Sequence, residues 1–418
     1  MRRRARLPTL LAAPSPTMSQ VELLHDWSAV ARLRDDWRRL HAVTPCATFF
    51  HSFDWLETYW KFYGAGQALR TFVVRDAGDV TGIVPLVVLE ESTKLGPLKI
   101  LTYPLAYWGS YYGPIGPRLR EALAAALDRL AHERRDWDLL DLRFTPPATS
   151  DEAHTLDVMT TAGFAPAPKV VDHTSFIDLP GTFDDYLATR PVKWRTNYRR
   201  WLRRLHERGT VRDRALLPDG NDRRRSASVR RRSAVGFVRR LRSDRPQKLA
   251  RFLDDRHDAD ARFDSSVSAR DARNGVPRGA ADVHLLYLNE QPLAFLYAYR
   301  NQRTMYGLRI GFDASISRDG VGNIMYMHAL EDSIRRDIRT FDLGPGSLKA
   351  KEPIRSRIEP IYRLPYANAY TWRGFAWRMK QTISTVEAAL ADFNADYRSP
   401  ATSEAAAERE PSPISSST

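Results

Sequence analysis

Two stretches of the chain alternate apolar and polar positions with the period of two that a half-buried strand requires, and each then changes to a helical period. In the first, Thr71 to Arg75 and Val80 to Leu89 predict strands joined by a turn at Ala77-Gly78-Asp79. A strand near Leu98 to Tyr103, a helix from Leu119 to Arg134 and a strand from Asp138 to Phe144 follow. The second stretch repeats that order. Val283 to Leu288 and Pro292 to Arg300 flank a turn at Asn289-Glu290, then come a strand from Thr304 to Ile310, a helix over 323–338 and a strand from Thr340 to Leu343. Along that helix Ile324, Met327, Leu330, Ile334 and Ile338 form one apolar stripe of period 3.6, with Asn323 placed as N-cap.

This internal repeat predicts an α/β (α+β) fold of two tandem units, each a mixed central sheet flanked by helices, in preference to one large sheet. The units are drawn at residues 18–180 and 181–395. Asp184 to Arg208 between them reads as one amphipathic, strongly basic helix. It carries Lys193, Arg195, Arg199, Arg200, Arg203 and Arg204 on one side and Trp194, Tyr198, Trp201, Leu202 and Leu205 on the other. Such a face is either solvated or a binding surface for an anion, whether coenzyme, acidic glycan or RNA.

The 418 residues carry a formal net charge of +14, which is a nucleic-acid signature only if it is spread over a surface. It is not spread. Residues 221–281 hold 16 Arg and one Lys against eight Asp, with little apolar periodicity, so composition predicts poor order there. A shifted reading frame in a GC-rich gene gives the same text, and an intact frame on resequencing would exclude it; regular patterning resumes near Ala281. The tail over 396–418, rich in Ser, Ala, Glu and Pro, is expected to be disordered. Met18 precedes the first periodic segment, so residues 1–17 read as a disordered or over-extended start.

The single cysteine, Cys46, excludes an internal disulfide framework, and the ten histidines show no ligand spacing, so no metal is expected. The apolar run after the first arginines is interrupted by Pro8 and no window approaches a membrane span, which predicts a cytoplasmic protein.

Candidate chemistry concentrates at Ser317-Arg318-Asp319-Gly320-Val321-Gly322-Asn323, between a strand and the helix it opens. Glycines there let the backbone turn and approach a ligand, while free amides and the helix dipole face an anion; a pyrophosphate fits. A plain strand-to-helix turn is the other reading. The first unit carries Tyr112-Gly113-Pro114-Ile115-Gly116-Pro117 at the matching place, where two prolines remove donors that a phosphate cradle needs. An aromatic stretch with Tyr103, Tyr107, Trp108, Tyr111 and Tyr112 precedes it and reads as packing between the units or as one wall of a substrate cleft.

Several segments, in this order, resemble the CelD/BcsL-type acetyltransferases of the GNAT superfamily, which are related to FemAB-type transferases. They are Thr48-Phe49-Phe50-His51-Ser52-Phe53-Asp54-Trp55-Leu56, Gly82-Ile83-Val84-Pro85-Leu86, Lys193-Trp194-Arg195-Thr196-Asn197-Tyr198-Arg199-Arg200, Gly311-Phe312-Asp313, and Phe341-Asp342-Leu343-Gly344-Pro345-Gly346-Ser347-Leu348-Lys349. The resemblance spans about residues 20 to 390, broken by 221–281. It implies tandem GNAT domains and acetyl-CoA or another acyl-CoA as donor, with a cell-envelope or exopolysaccharide-related acceptor attacking the thioester directly. The usual pyrophosphate loop begins with Gln or Arg; here Ser317 holds that place and Arg318 lies one position off.

The same resemblance implies site roles. Backbone amides of Leu308, Arg309 and Ile310 polarise the thioester carbonyl, and those of Gly320, Val321, Gly322 and Asn323 hold the pyrophosphate with Arg318. Asp342 and Asp313 are the candidates for general base, Tyr306 for protonating the thiolate, and Lys349 for meeting a phosphate. Each has a packing or surface role as its alternative, and His328 reads as a packed side chain. The related FemAB branch leaves open an aminoacyl transferase using charged tRNA, and a catalytically silent interaction protein that kept the fold is a third reading.

Overall fold

The computed structural model describes residues 20–94, 96–106, 108–216, 280–313 and 320–381. Both predicted hairpin turns form. Ala77 and Gly78 take φ of 49° and 95°, and Asn289 and Glu290 take 50° and 65°, which is the left-handed pair a two-residue hairpin requires.

In chain order the first elements are β1 (Gln20–Leu24), α1 (Trp27–Ala31), α2 (Arg34–Val43), α3 (Phe53–Tyr63), β2 (Ala68–Asp76), β3 (Asp79–Thr93), β4 (Gly96–Thr102), α4 (Leu119–Ala131), β5 (Leu139–Thr145), α5 (Thr155–Thr161) and β6 (Lys169–Asp178). Then come α6 (Phe183–Ala188), α7 (Val192–Glu207), β7 (Val211–Leu216), β8 (Ala281–Leu288), β9 (Gln291–Asn301), β10 (Thr304–Phe312), α8 (Val321–Arg335), β11 (Thr340–Pro345), α9 (Leu348–Lys351) and β12 (Arg357–Ala367). Among the described residues a further helix, α10, covers 372–381.

The mixed α/β architecture expected from the pattern is present, with one correction. Among the described residues the strands form a single twelve-stranded sheet in the order β1-β2-β3-β4-β5-β12-β6-β11-β10-β9-β8-β7. The two half-sheets are joined because their last strands change places. β12, last in the chain, pairs antiparallel with β5, while β6, which closes the first repeat in sequence, pairs with β11. β12 and β6 also pair with each other, and that closes the seam. The cores overlap accordingly: Tyr299 and Tyr306 of the second repeat pack into the first core with Phe49, Phe50, Trp55 and Trp108.

Two local boundaries also differ from expectation. The basic segment is broken into α6 and α7 at Pro191, which serves as N-cap of α7 and has no amide for an interior helical bond. α8 begins at Val321 with Gly320 as N-cap, two residues before the expected Asn323, because Gly320 takes a left-handed φ of 63° that turns the chain into the helix earlier. Ile324, Met327 and Leu330 are fully buried, as the stripe requires, whereas Ile338 is buried beyond the helix end. β7 and β8 are antiparallel neighbours at the end of the described sheet. Most of the arginine-rich stretch, together with residues 1–17 and 396–418, lies outside the described residues.

The Thr48–Leu56 segment serves packing. Thr48 N–H and its hydroxyl both meet His51 Nδ1, at 3.1 and 2.7 Å, and Ser52 Oγ accepts from Trp55 N–H to start α3. Phe49 stacks on Tyr299 at 3.8 Å, and Phe50 meets Tyr306 edge-on, so this segment seals the seam between the repeats.

Burial pushes His51 down to about 3, and His284 of β8 down to about 4. Both are neutral in the fold, while the unfolded chain takes up their protons below pH 6.5. Their contribution is therefore complete above pH 6.5 and is lost as pH falls toward 4, at roughly 1.4 kcal/mol per pH unit for each histidine. Thermal midpoints measured from pH 7 to 5 are expected to fall, and His51→Asn, which keeps an acceptor near Nδ1, to flatten the profile by about half; a flat wild-type profile contradicts this.

Candidate functional site

The site is built where two parallel strands part. β10 and β11 pair at Thr304↔Thr340, Met305↔Phe341 and Tyr306↔Asp342, and there the pairing stops. β10 continues to Phe312 on β9 alone, with a bulge between Gly307 and Arg309 that leaves Leu308 unmatched. From Gly307 onward no described strand pairs with the edge of β10 that faces β11, so the two strands part as a wedge, and along that edge Leu308 O accepts from Arg309 Nη1 at 3.2 Å. Leu308, Arg309 and Ile310 line this edge and are half-buried.

One end of the wedge is the start of α8. Ile324 N–H bonds to Gly320 O, the first helical bond, and no side chain caps the helix. The amides of Val321, Gly322 and Asn323 thus have no acceptor among the described residues; Val321 is fully buried, while Gly320, Gly322 and Asn323 are half-buried. Gly320 is required by more than its φ: a Cβ there would fall inside the indole of Trp201 on α7, and one on Gly322 would lie 3.1 Å from the Phe312 ring. The two glycines are therefore approached by aromatic rings of the protein on their side-chain faces. Arg318 lies outside the described residues.

The other end is Asp342, fully buried. Its Oδ1 accepts from Thr174 Oγ at 2.8 Å and from Gly344 N–H at 2.7 Å, and its Oδ2 accepts from Ser110 Oγ at 2.9 Å. Burial raises its pKa, while those hydrogen bonds and the Lys351 charge oppose the rise. Tyr306, its cross-strand partner, is buried against Phe50; burial, and then the Asp342 charge, raise the phenol pKa, so its proton stays on. Asp342 and Tyr306 are thus brought together, as a base candidate with both oxygens engaged beside a phenol that keeps its proton.

The remaining candidates are more scattered. Asp313 closes β10, its N–H bonded to Leu293 O at 2.9 Å. Arg309 lies 4.6 Å over the Trp108 ring, so its side chain crosses the seam. Lys349 is exposed on α9. The lysine that turns inward is Lys351, whose Nζ donates to Gly344 O at 2.7 Å and Pro345 O at 3.0 Å. His328 is mostly buried, 3.8 Å from Asp213. Ser110, Thr174 and Lys351 were not selected from the sequence, although Ser110 lies within the marked aromatic stretch and Lys351 two residues past the marked segment that ends at Lys349; Trp201 was named there only on the apolar side of the basic helix.

The matching wedge of the first repeat is filled. β4 and β5 pair only at Ile100↔Leu139 and Leu101↔Leu140. The loop that follows β4 then occupies the gap, with Tyr112 N–H on Phe144 O at 2.9 Å and Ile115 paired to Ile83. Tyr103, Trp108 and Tyr112 of the aromatic stretch pack in the first core, which Tyr299 and Tyr306 also enter, and Ser110 reaches Asp342; Tyr107 lies outside the described residues. Among the described residues no cluster of three or more His, Cys, Asp or Glu could hold a metal ion, and no helix is long and apolar enough to cross a membrane.

This geometry agrees with comparison to known proteins. Residues 192–352, which contain α7, the β10/β11 wedge and the start of α8, match the family model described as acetyltransferase (GNAT) domain. The class this defines is acyltransferase. A conserved protein of unknown function from Bacteroides thetaiotaomicron superposes with a TM-score of 0.50 at 12% identity, over 83% of this chain and all of that one, and so shares its fold. Also similar are FemX, with a TM-score of 0.44 at 14% identity over 83% of this chain and 97% of that one, and a tandem GNAT protein from the clavulanic acid biosynthesis pathway, with 0.43 at 11% over 83% and 98%. No curated protein matches the sequence.

Proposed function

We propose that this acyltransferase uses an acyl-CoA, with acetyl-CoA the simplest donor, and holds it in the second repeat only. The observation that carries the reading is the combination of a bulged β10 whose pairing with β11 ends at Tyr306 and a start of α8 whose first amides have no acceptor among the described residues. A thioester carbonyl laid along Leu308–Ile310 meets main-chain donors, and a pyrophosphate at Val321–Asn323 meets amides and the positive end of a helix dipole. An acceptor amine or hydroxyl then attacks the thioester carbon, the C–S bond breaks and the thiolate leaves with coenzyme A. No covalent enzyme intermediate is needed, so catalysis lies in positioning and charge stabilisation.

Asp342 is assigned to holding the wedge open, because its hydrogen bonds tie β11 to β6 and to the Ser110 loop; Asp313, which follows β10, is the other candidate for proton transfer. Tyr306, whose phenol keeps its proton, is the proposed proton source for the thiolate. The acceptor is proposed to be a cell-envelope or exopolysaccharide-related amine or hydroxyl, on the strength of the sequence resemblance.

A second reading is favoured by one observation. Lys193, Arg199, Arg200, Arg203 and Arg204 are exposed on α7, whose Trp201 packs at the start of α8, so a polyanion such as charged tRNA could lie across this face. Calorimetry separates the two. The first reading expects saturable acetyl-CoA binding that persists in Arg199→Gln/Arg200→Gln. The second expects tRNA affinity that falls steeply with salt and drops in that variant. Wild-type protein that ignores every CoA ester tried contradicts the first.

A further inference from the structure

Helix α10 has two apolar sides where a surface helix has one. α10 starts at Thr371, whose Oγ1 accepts from Gly374 N–H at 3.0 Å and whose carbonyl accepts from Phe375 N–H at 2.9 Å. Its inner side is accounted for: Gly374 is buried, and Trp377 packs against the cluster of Leu98, Ile100, Leu139 and Ala367. Its outer side carries Trp372, Phe375 and Met379, which are 68%, 54% and 47% exposed. At about 100° per residue these three fall within about 60° of one another, so they form one stripe.

Cations border that stripe on both flanks. Arg378 lies on one side of it, and Lys380 and Arg373 on the other, by the same helical spacing. Lys169 of β6 sits beside the helix, with its Nζ on Gln381 and 5.8 Å from the Trp377 ring. No Asp or Glu occurs between Glu359 and Glu387. Tyr370, 85% exposed, adds a further aromatic ring just ahead of the helix.

An apolar stripe with Trp and Phe, cationic shoulders and no acidic residue is complementary to an anionic lipid surface, whose acyl boundary takes the rings while its headgroups take the cations. It is poorly suited to a second copy of the same stripe, because pairing it with itself sets cations against cations with no acid to separate them. We propose that α10 is an interfacial anchor that docks the protein on membranes containing anionic phospholipid, lying in the plane of the headgroups.

The test is vesicle co-sedimentation of the full chain with phosphatidylcholine, with and without phosphatidylglycerol, at physiological ionic strength. A variant Trp372→Ser/Phe375→Ser/Met379→Ser keeps every charge, so binding due to net charge alone remains in it as the baseline. The wild type is expected to partition onto the anionic vesicles, and the variant about tenfold less. Arg378→Gln/Lys380→Gln is expected to lose the preference for the anionic vesicles. Equal binding by wild type and the serine variant overturns the proposal, and so does wild type that ignores both vesicles. A serine variant that melts well below the wild type overturns it by showing that the stripe is covered within the chain. A wild-type dimer at sedimentation equilibrium that the variant abolishes overturns it in favour of a second copy.

Discussion

Asp141→Ala is expected to destabilise the protein by about 3–5 kcal/mol, a large share of what a typical domain has to lose. Asp141 is fully buried on β5, where it accepts from Arg143 Nε at 2.6 Å and from Arg363 Nε at 3.2 Å, with a second bond from Arg363 Nη2. Arg143 is itself buried and grips Glu91 with both of its terminal nitrogens, at 2.5 and 2.9 Å. Because Arg363 belongs to β12, the carboxylate ties the exchanged strand into the sheet of the first repeat. Removing it takes from Arg363 the carboxylate it bonds through Nε and Nη2 and leaves Arg143 with Glu91 as the one acid in its bonds named above, so two guanidinium groups lose the charge they shared. Urea unfolding measures the effect; a loss under about 1 kcal/mol would show that β12 is held by backbone pairing alone.

Gly320→Ala is expected to weaken acetyl-CoA binding at least about tenfold while leaving most of the fold intact. The φ of 63° carries a penalty of about 1 kcal/mol for any residue with a Cβ. The new methyl also drives Trp201 off the start of α8, or α8 off Trp201, and the amides at Val321–Asn323 turn with it. The two contributions separate in a cycle with Trp201→Ala, which relieves the collision and leaves the backbone strain. Partial recovery in the double variant is the expected result. Unchanged binding in Gly320→Ala would mean that the coenzyme does not use these amides.

The hairpins and the long helices of both repeats were legible because each was signalled locally, by alternation, by a turn pair such as Asn289-Glu290, or by a stripe such as Ile324, Met327 and Leu330. The way the repeats join was not legible. Nothing in Lys169–Asp178 or Arg357–Ala367 says that these strands will change places, because strand partners are set by the seam and not by the segment itself. The repeat Leu140-Asp141-Leu142 and Phe341-Asp342-Leu343 illustrates the same point. Similar residues sit at similar places in β5 and β11, yet guanidinium groups engage one carboxylate while two hydroxyls and an amide engage the other. Sequence placed Asp342 at the end of its strand, but Ser110, 232 residues away, could be found as its partner only in three dimensions. Lys349 and Lys351 show the limit at close range: both flank the same short turn, and only folding decides which of them points inward.

The central claim is that the wedge between β10 and β11 receives the coenzyme and the wedge of the first repeat does not. A crystal structure of the protein with acetyl-CoA tests it most directly. Pyrophosphate density is expected against the amides of Val321, Gly322 and Asn323 and the thioester beside Leu308–Ile310, with the Tyr112–Phe144 contact undisturbed. Coenzyme bound between β4 and β5, or lying on the arginines of α7 with the wedge empty, would contradict it.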